Sequence, residues 1–244
     1  MNRTAAYELT IIVPLYNEED NIVRLTERLT AFLPVCRRNA CVLLVNDGST
    51  DGSAALIRGA CERHPDFFYL ELAQNRGLST ALKAGFDACE SPLLAYLDAD
   101  LQTDPEDLNL LLPHIDAHEL VTGVRSGRQD SGWKKLQSRI ANGWRRMMTG
   151  DGASDTCCPL KILRSEAARR IPMFRGMHRF LPALVLMQGG SYAEVPVRHH
   201  PRTAGQSKYG MWNRAWTGFI DCFAFRWMRK RQIRYSVSAQ NLHD

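Results

Sequence analysis

The first 125 residues alternate short apolar runs with longer amphipathic stretches. Runs rich in leucine and β-branched residues predict five strands, near residues 8–13, 41–46, 67–72, 93–98 and 119–124. Between them, apolar residues recur every three or four positions, which predicts helices carrying Ile22, Leu25, Leu29, Phe32 and Leu33, and then Ala54, Ile57, Ala60 and Cys61. Repeated strand and helix units of this kind predict an α/β fold with a mostly parallel central sheet flanked by helices.

The pattern changes in the second half of the chain. A loop-rich region runs from Gly123 to Gly132, and a long basic helix is predicted from about Trp133 to Thr149. After Gly150 the sequence predicts short elements, a strand near 192–197 and a final helix over about 209–229.

Size and apolar content restrict the class of protein. The chain has 244 residues, of which 45% are hydrophobic, so it can bury the core of one globular domain. Its longest apolar stretches, such as Leu9 to Val13, are far shorter than the roughly 18 residues that cross a bilayer. The first eight residues lack the features of a secretory signal, and the seven cysteines form no C-x-x-C pair. We therefore predict a cytoplasmic protein with reduced thiols, no zinc site and no transmembrane helix.

The net charge of +5 hides a strong asymmetry. Residues 1–127 carry 10 basic and 19 acidic side chains, whereas residues 128–244 carry 21 basic and 7 acidic ones. The basic half predicts an anionic partner, which could be a nucleic acid, a phosphorylated ligand or a membrane surface. No zinc finger or RNA-recognition signature occurs in the sequence, which disfavours a nucleic acid.

Three polar clusters follow predicted strands directly. They are the segments 14–18, 46–51 and 97–102, with sequences P-L-Y-N-E, N-D-G-S-T-D and L-D-A-D-L-Q. Turn or capping chemistry accounts for any one of them, but three at the shared edge of a parallel sheet predict a ligand site. Asp98 and Asp100 offer the hard oxygen ligands that favour Mg²⁺ or Mn²⁺ over zinc. The alternative for this last segment is a solvated turn before a helix capped by Asp104.

The motifs resemble those of glycosyltransferase family 2. The resemblance rests on V-P-L-Y-N-E (13–18), V-N-D-G-S-T-D (45–51), N-R-G-L-S-T-A-L-K-A-G (75–85) and D-A-D-L-Q (98–102). It continues through D-T-C-C-P-L-K (155–161), M-H-R-F-L-P-A-L (177–184) and R-T-A-G-Q-S-K-Y (202–209). More narrowly, the chain is similar to dolichyl and polyprenyl phosphate sugar synthases of the dolichol-phosphate mannosyltransferase-like branch. That resemblance implies one Rossmann-like catalytic domain of the glycosyltransferase A type over residues 1–210, followed by a basic amphipathic helix and tail over 211–244.

The resemblance also implies roles for individual residues. The nucleotide would be bound by Pro14, Tyr16, Glu18, Asp47 and Asp98. The cation, Mg²⁺ or Mn²⁺, and the donor diphosphate would be held by Asp98, Asp100 and Gln102. Phosphates would be gripped by Arg202, Ser207 and Lys208, and the implied catalytic residues are Asp100, Arg202 and Lys208. Asp155 and Lys161 would complete the acceptor side, with Asp155 acting either as a base or as a residue that orients basic neighbours.

The implied reaction transfers a sugar from a nucleotide-diphosphate donor to a polyisoprenyl phosphate, with inversion at the anomeric carbon. A phosphate monoester with a second pKa of about 6 is already ionised at neutral pH, so the reaction needs no carboxylate base. One alternative is a family 2 enzyme with a saccharide hydroxyl acceptor, which would need such a base. A catalytically silent sensor of nucleotide sugars is another.

Two basic amphipathic segments address the lipid. Residues 128–149 interleave six basic residues with tryptophan and methionine, and the final helix carries aromatic residues at three- and four-residue spacing: Trp212, Trp216, Phe219, Phe223 and Trp227. Basic residues accompany its end: Arg226, Arg229, Lys230, Arg231 and Arg234. Packing on the core is the alternative for such a stripe, but aromatic residues with basic flanks are typical of interfacial helices. We predict a peripheral protein at the inner face of the membrane, held by an anionic lipid surface or by a membrane partner subunit.

Overall fold

A computed structural model gives the fold of residues 2–125, 132–198 and 211–233. In this part of the chain, seven strands form one sheet. The strands are β1 (Leu9–Leu15), β2 (Ala40–Asn46), β3 (Phe67–Glu71), β4 (Leu93–Tyr96), β5 (Leu120–Arg125), β6 (Lys161–Arg164) and β7 (Tyr192–Val197). Their order across the sheet is β3-β2-β1-β4-β6-β5-β7.

The sheet is mostly parallel, as predicted. All strands run in one direction except β6, which is antiparallel to both β4 and β5. The five predicted strands of the first half and the predicted strand near 192–197 are all present. The fourth is shorter than predicted, because β4 ends at Tyr96 and the chain leaves the sheet before Asp98.

Helices cover both faces of this sheet. They are α1 (Glu19–Phe32), α2 (Ser53–Arg63), α3 (Leu78–Ala88), α4 (Leu108–Leu111), α5 (Gly132–Thr149), α6 (Ser165–Arg170), α7 (Leu181–Met187) and α8 (Met211–Lys230). The predicted apolar face of α1 is buried against the sheet, where Ile22, Leu25 and Leu29 are almost fully excluded from water. Burying each such side chain stabilises the fold by about 1.5 to 3 kcal/mol, which holds α1 over the strands.

The two long helices α5 and α8 pack against each other. The indole of Trp144 stacks on the ring of Phe219, with 5.0 Å between centroids, and Cys222 and Phe225 of α8 are buried in the core. Part of α8 therefore belongs to the folded domain. Trp212 lies outside the described side chains, and Arg234 and the predicted domain boundary at residue 210 lie outside the described residues. None of the helices seen in the described ranges is both long and apolar enough to span a bilayer.

Candidate functional site

The three polar clusters meet around one cavity at the carboxyl edge of the sheet. The cavity has a volume of about 190 Å³. Its walls are formed by Pro14, Leu15, Tyr16, Glu18, Asp47, Asn75, Gly77, Leu78, Ala81, Asp98, Ala99 and Asp100. Because β1, β2 and β4 are parallel neighbours, segments that follow them along the chain lie side by side.

The segment after β1 is tied to the segment after β2. The backbone N–H of Asn17 donates to Ser49 Oγ at 3.0 Å, and Asn17 Oδ1 accepts from the N–H of Thr50 at 2.8 Å. Asn17 itself has a φ of 50°, a left-handed conformation that asparagine tolerates better than most residues. The N–H of Glu18 donates to Ser53 Oγ at 2.9 Å. These bonds fix the backbone that carries Tyr16 and Glu18 into the wall of the cavity.

Asp47 holds the backbone that leads into α3. The residue is 3% exposed, and its carboxylate accepts from the N–H groups of Arg76 at 2.8 Å and Gly77 at 2.7 Å. The negative charge lies at the amino-terminal end of α3, where the helix dipole stabilises it. Gly48, next to it, has a φ of +65°, and a Cβ there would be 2.4 Å from the carbonyl carbon of Gln74. Only glycine allows this close approach of the two segments. Each Asp47 oxygen still has a lone pair for a ligand.

Asp98 and Asp100 both line the cavity. Tyr96 Oη donates to Asp98 Oδ1 at 2.5 Å, and the N–H of Gln102 donates to Asp100 Oδ1 at 3.1 Å. Burial, reinforced by the charge of Asp100, raises the pKa of Asp98 to about 6, although the bond from Tyr96 opposes the rise. Leu101 has a φ of 56°, which is rare for a residue other than glycine and strains the turn. Gln102 is not among the described residues that line the cavity.

This pair of carboxylates fits a divalent cation. Asp98, whose pKa is raised by burial and by the charge of Asp100, is relieved when a cation neutralises it, and the oxygens of both carboxylates are the hard ligands that Mg²⁺ and Mn²⁺ prefer. Within residues 2–125, 132–198 and 211–233, no group of three or more His, Cys, Asp or Glu side chains could hold a metal.

Arg125 and Asp155 form a two-point ion pair. Arg125 Nε donates to Asp155 Oδ2 at 2.7 Å, and Arg125 Nη2 donates to Asp155 Oδ1 at 2.9 Å. Burial alone would raise the pKa of Asp155, but the guanidinium outweighs it and holds the pKa below its usual value. The N–H of Cys157 also donates to Asp155, at 3.2 Å. Asp155 thus contacts both the guanidinium of Arg125 and the backbone of the following loop in this structure.

Lys161 lies beneath the loop that follows Asp155. It is 1% exposed, and its Nζ donates to the carbonyl oxygens of Thr156, at 3.3 Å, and Cys158. Burial lowers the pKa of its ammonium group. In the structure Lys161 Nζ is hydrogen-bonded to loop carbonyls, and the acceptor-side role that the resemblance implies stays a prediction.

The remaining predicted site residues are Arg202, Ser207 and Lys208, and they lie outside the described residues. Conversely, the structure adds Tyr96, Asn75 and Arg125, which sequence reasoning missed as functional candidates. Asn75 stands in a quoted motif without an assigned role, and Arg125 ends a strand, which is the position where charged side chains reach the ligand edge of such a sheet.

Comparison with known sequences gives a consistent picture. Residues 10–171 match the model of the family described as glycosyl transferase family 2. The chain is 33% identical over 205 residues to undecaprenyl-phosphate 4-deoxy-4-formamido-L-arabinose transferase of Edwardsiella ictaluri, covering 83% of this chain and 63% of that protein. It is 32% identical over 233 residues to dodecaprenyl-phosphate galacturonate synthase of Rhizobium johnstonii, covering 93% and 69%. The chain thus spans less than two thirds of the first of these relatives.

Solved structures share the fold. A mannosyltransferase from Pyrobaculum calidifontis, in complex with GDP-Man and Mn²⁺, superposes with a TM-score of 0.66 at 20% identity, covering 89% of this chain and 63% of that one. Glucosyl-3-phosphoglycerate synthase from Mycobacterium tuberculosis, in complex with Mn²⁺, UDP and glucosyl-3-phosphoglycerate, gives 0.68 at 14% identity, covering 93% and 81%. At these identities the likeness establishes the architecture alone.

Proposed function

Because this chain belongs to glycosyl transferase family 2, we propose that it transfers a sugar from a nucleotide-diphosphate donor to the phosphate of a polyisoprenyl lipid, with inversion at the anomeric carbon. One observation carries the proposal: three separate strand-end segments converge on one cavity that is lined by Asp98 and Asp100. Two relatives at 32–33% identity, named above, act on undecaprenyl or dodecaprenyl phosphate, and this favours a lipid phosphate as acceptor.

On the donor side, the cavity would take the nucleotide between Tyr16, Glu18 and Asp47. Asp98 and Asp100 would hold Mg²⁺ or Mn²⁺, whose charge would stabilise the departing nucleotide diphosphate. The Mn²⁺ and nucleotides in two solved structures of the same fold support this arrangement. Arg202, Ser207 and Lys208 would add positive charge and hydrogen bonds to the same phosphates.

On the acceptor side, a lipid phosphate needs no protein base, because it is already an oxyanion at neutral pH. A hydroxyl acceptor would need one. Asp155, the acid in a family-like motif of the second half, is engaged by Arg125 in a two-point ion pair, and its pKa is low. This engagement favours the phosphate acceptor over the saccharide hydroxyl.

The exposed side of α8 suggests where the lipid is met. Four aromatic side chains, Trp216, Phe219, Phe223 and Trp227, form what we call the α8 aromatic face, and all four are exposed. The guanidinium of Arg231 lies 5.1 Å from the ring centre of Trp227. Large exposed apolar patches mark interaction surfaces, and basic neighbours select an anionic one. We propose that this face rests on the anionic inner surface of the membrane.

The test is a panel of nucleotide sugars with Mn²⁺ or Mg²⁺ and a short polyprenyl phosphate, scored by radiolabel in organic-extractable lipid. The matched control is the corresponding polyprenol, which has the same chain but a hydroxyl in place of the phosphate. Label with the phosphate alone supports the proposal. Equal labelling of the polyprenol, or label only in added saccharides, would overturn the assigned acceptor.

A further inference from the structure

The turn at residues 176–180 has no role in the reaction proposed above, although it belongs to the M-H-R-F-L-P-A-L motif. It begins at Gly176 and continues as a 3₁₀ helix over Met177–Phe180. Met177 and Phe180 are buried in the core cluster that also contains residues of α3 and α8. The turn therefore lies between the helix that walls the donor cavity and the helix that bears the α8 aromatic face.

On one side the turn is fastened to α3 through Ser79. Ser79 Oγ accepts from the N–H of Gly176 at 3.1 Å and from the N–H of His178 at 3.3 Å, and it lies 2.7 Å from His178 Nδ1. Since both N–H groups donate to the hydroxyl oxygen, its single proton is directed at Nδ1, which must then be unprotonated. Burial lowers the pKa of His178 to about 3, which agrees with a neutral ring that accepts this proton.

Ser79 stands in the first turn of α3, beside the cavity wall. Leu78 and Ala81, its neighbours on that turn, line the cavity, and Asp47 binds the two N–H groups immediately before the helix. The amino-terminal end of α3 is thus held at two points, by Asp47 from the sheet and by the 176–180 turn through Ser79. Its position fixes where Leu78 and Ala81 lie in the cavity wall.

On the other side the turn is fastened to α8 through Asp221. Arg179 Nη1 lies 3.6 Å from Asp221 Oδ2, and a Cβ on Gly176 would lie only 2.3 Å from that oxygen. Gly176 has a φ of +92°, so this position admits glycine on both conformational and steric grounds. The rings of Phe180 and Phe225 stack with 5.9 Å between centroids. Among the described side chains, the facing atoms Arg179 Nη1 and Asp221 Oδ2 are buried without a hydrogen bond, so the ion pair is their interaction.

We propose that Ser79, His178, Arg179 and Asp221 form a positioning relay that joins α8 to the donor-cavity end of α3. The proposal rests on the proposed function, since it takes the cavity to be the nucleotide site. None of the four touches the reacting atoms. Loss of the relay should let the first turn of α3 shift, which weakens donor binding and raises the KM for the donor while kcat changes little.

The experiment measures binding of UDP, GDP, CDP and dTDP with Mn²⁺ to the whole protein by calorimetry. In His178→Asn, Oδ1 lies near the place of Nδ1 and can accept the proton of Ser79, whereas His178→Leu leaves that proton without an acceptor. We expect His178→Leu to weaken binding about fivefold, Asp221→Asn about threefold, and His178→Asn less than twofold. The control is Glu166→Gln, which removes the same charge from an exposed ion pair with Arg170 on α6 and should leave binding unchanged.

The outcomes separate the two proposals. If the unmodified protein binds a nucleotide and both His178→Leu and Asp221→Asn bind it equally well, the relay is wrong and the proposed function stands. If the unmodified protein binds none of the four, the donor cavity and the relay are both overturned. Thermal unfolding of each variant identifies a general loss of fold. The relay is supported if His178→Leu is folded but binds the nucleotide more weakly, and if His178→Asn binds it nearly as well as the unmodified protein.

Discussion

The sheet edge around Asp98 and the exposed side of α8 depart from ordinary burial in opposite ways. At the sheet edge, carboxylates are buried or half-buried and have hydrogen-bond donors, as Tyr96 donates to Asp98 and two backbone N–H groups donate to Asp47. On α8, large aromatic side chains face solvent, with Trp216 67% and Trp227 62% exposed. Buried polar groups and exposed apolar patches are the informative departures from ordinary burial. The first indicates a small charged ligand, and the second an extended partner.

The charge asymmetry divides the molecule along the same line. The acidic half, with 19 acidic against 10 basic residues over 1–127, supplies the carboxylates of the cavity. The basic half, with 21 against 7 over 128–244, supplies α5 and α8. Acidic side chains suit a cation-assisted donor, and basic ones suit phosphates of the lipid and of the membrane surface.

The largest expected effect comes from removing one carboxylate of the cavity. Asp100→Ala should lower kcat for transfer about 100- to 1000-fold, because the leaving diphosphate loses the cation that stabilises it. Circular dichroism should show an unchanged fold. Asp116→Ala, which removes an exposed acid that pairs with Arg38 far from the cavity, is the matched control and should leave the rate unchanged. Near-normal turnover in Asp100→Ala would contradict the donor site.

The neighbouring carboxylate, Asp98, should lower the stability of the fold although the proposed function needs it. The pKa of Asp98 is raised from 3.8 to about 6 in the folded protein, so folding favours its protonated form. The ionised form therefore destabilises the fold, by an amount that develops between pH 4 and 6 and is complete above pH 6. Asp98→Asn keeps an acceptor for Tyr96, and without metal it should raise the free energy of unfolding at pH 7.5 by about 1 to 3 kcal/mol.

Thermal unfolding in EDTA at pH 7.5 and pH 4 measures this difference directly. The gain should shrink at pH 4, where the wild-type carboxyl is protonated in the fold. The same variant should lose Mn²⁺ binding. A variant that is destabilised at pH 7.5, or equally stabilised at both pH values, would show that Asp98 is not strained by its burial and by Asp100.

Whether a site residue can be predicted from the sequence depends on how far along the chain its contacting partners lie. Pro14, Tyr16, Glu18, Asp98 and Asp100 belong to two short segments at the carboxyl ends of strands, so the strand pattern and the local sequence together bring them to one edge. Their partners come from elsewhere. Arg125 and Asp155 are 30 positions apart, and Ser79 and His178 are 99 apart. Nothing local marks such pairs, because tertiary packing brings them together.

The strand β6 shows the same limit in the fold. It has four residues, begins with Lys161 and runs antiparallel between β4 and β5. A short strand that starts with a lysine gives no apolar run. Its pairing with β4 and β5 is non-local, because both of these strands lie far before it in the sequence. The parallel strands were predictable because each carries its own run of mainly apolar residues in the sequence. The position of Lys161 beneath the loop follows from β6 and was missed with it.

The smallest of these effects tests the α8 aromatic face. Trp216→Glu combined with Trp227→Glu should weaken binding to phosphatidylglycerol vesicles about tenfold, because both indoles would leave the interface and two negative charges would face an anionic surface. Co-sedimentation measures the change. Since both side chains are exposed, the unfolding temperature should stay close to that of the unmodified protein.

Val23→Glu is the control for this variant, because Val23 is an exposed apolar residue on α1, outside the α8 aromatic face. It should bind vesicles normally. Phosphatidylcholine vesicles and added salt should each reduce binding of the unmodified protein if basic residues such as Arg229 and Arg231 select anionic lipid. If the double variant binds vesicles as well as the unmodified protein does, the membrane contact lies on another surface. Equal binding to anionic and neutral vesicles would show that burial of the aromatic side chains is the main cause of binding. The charge asymmetry would then not explain the membrane contact.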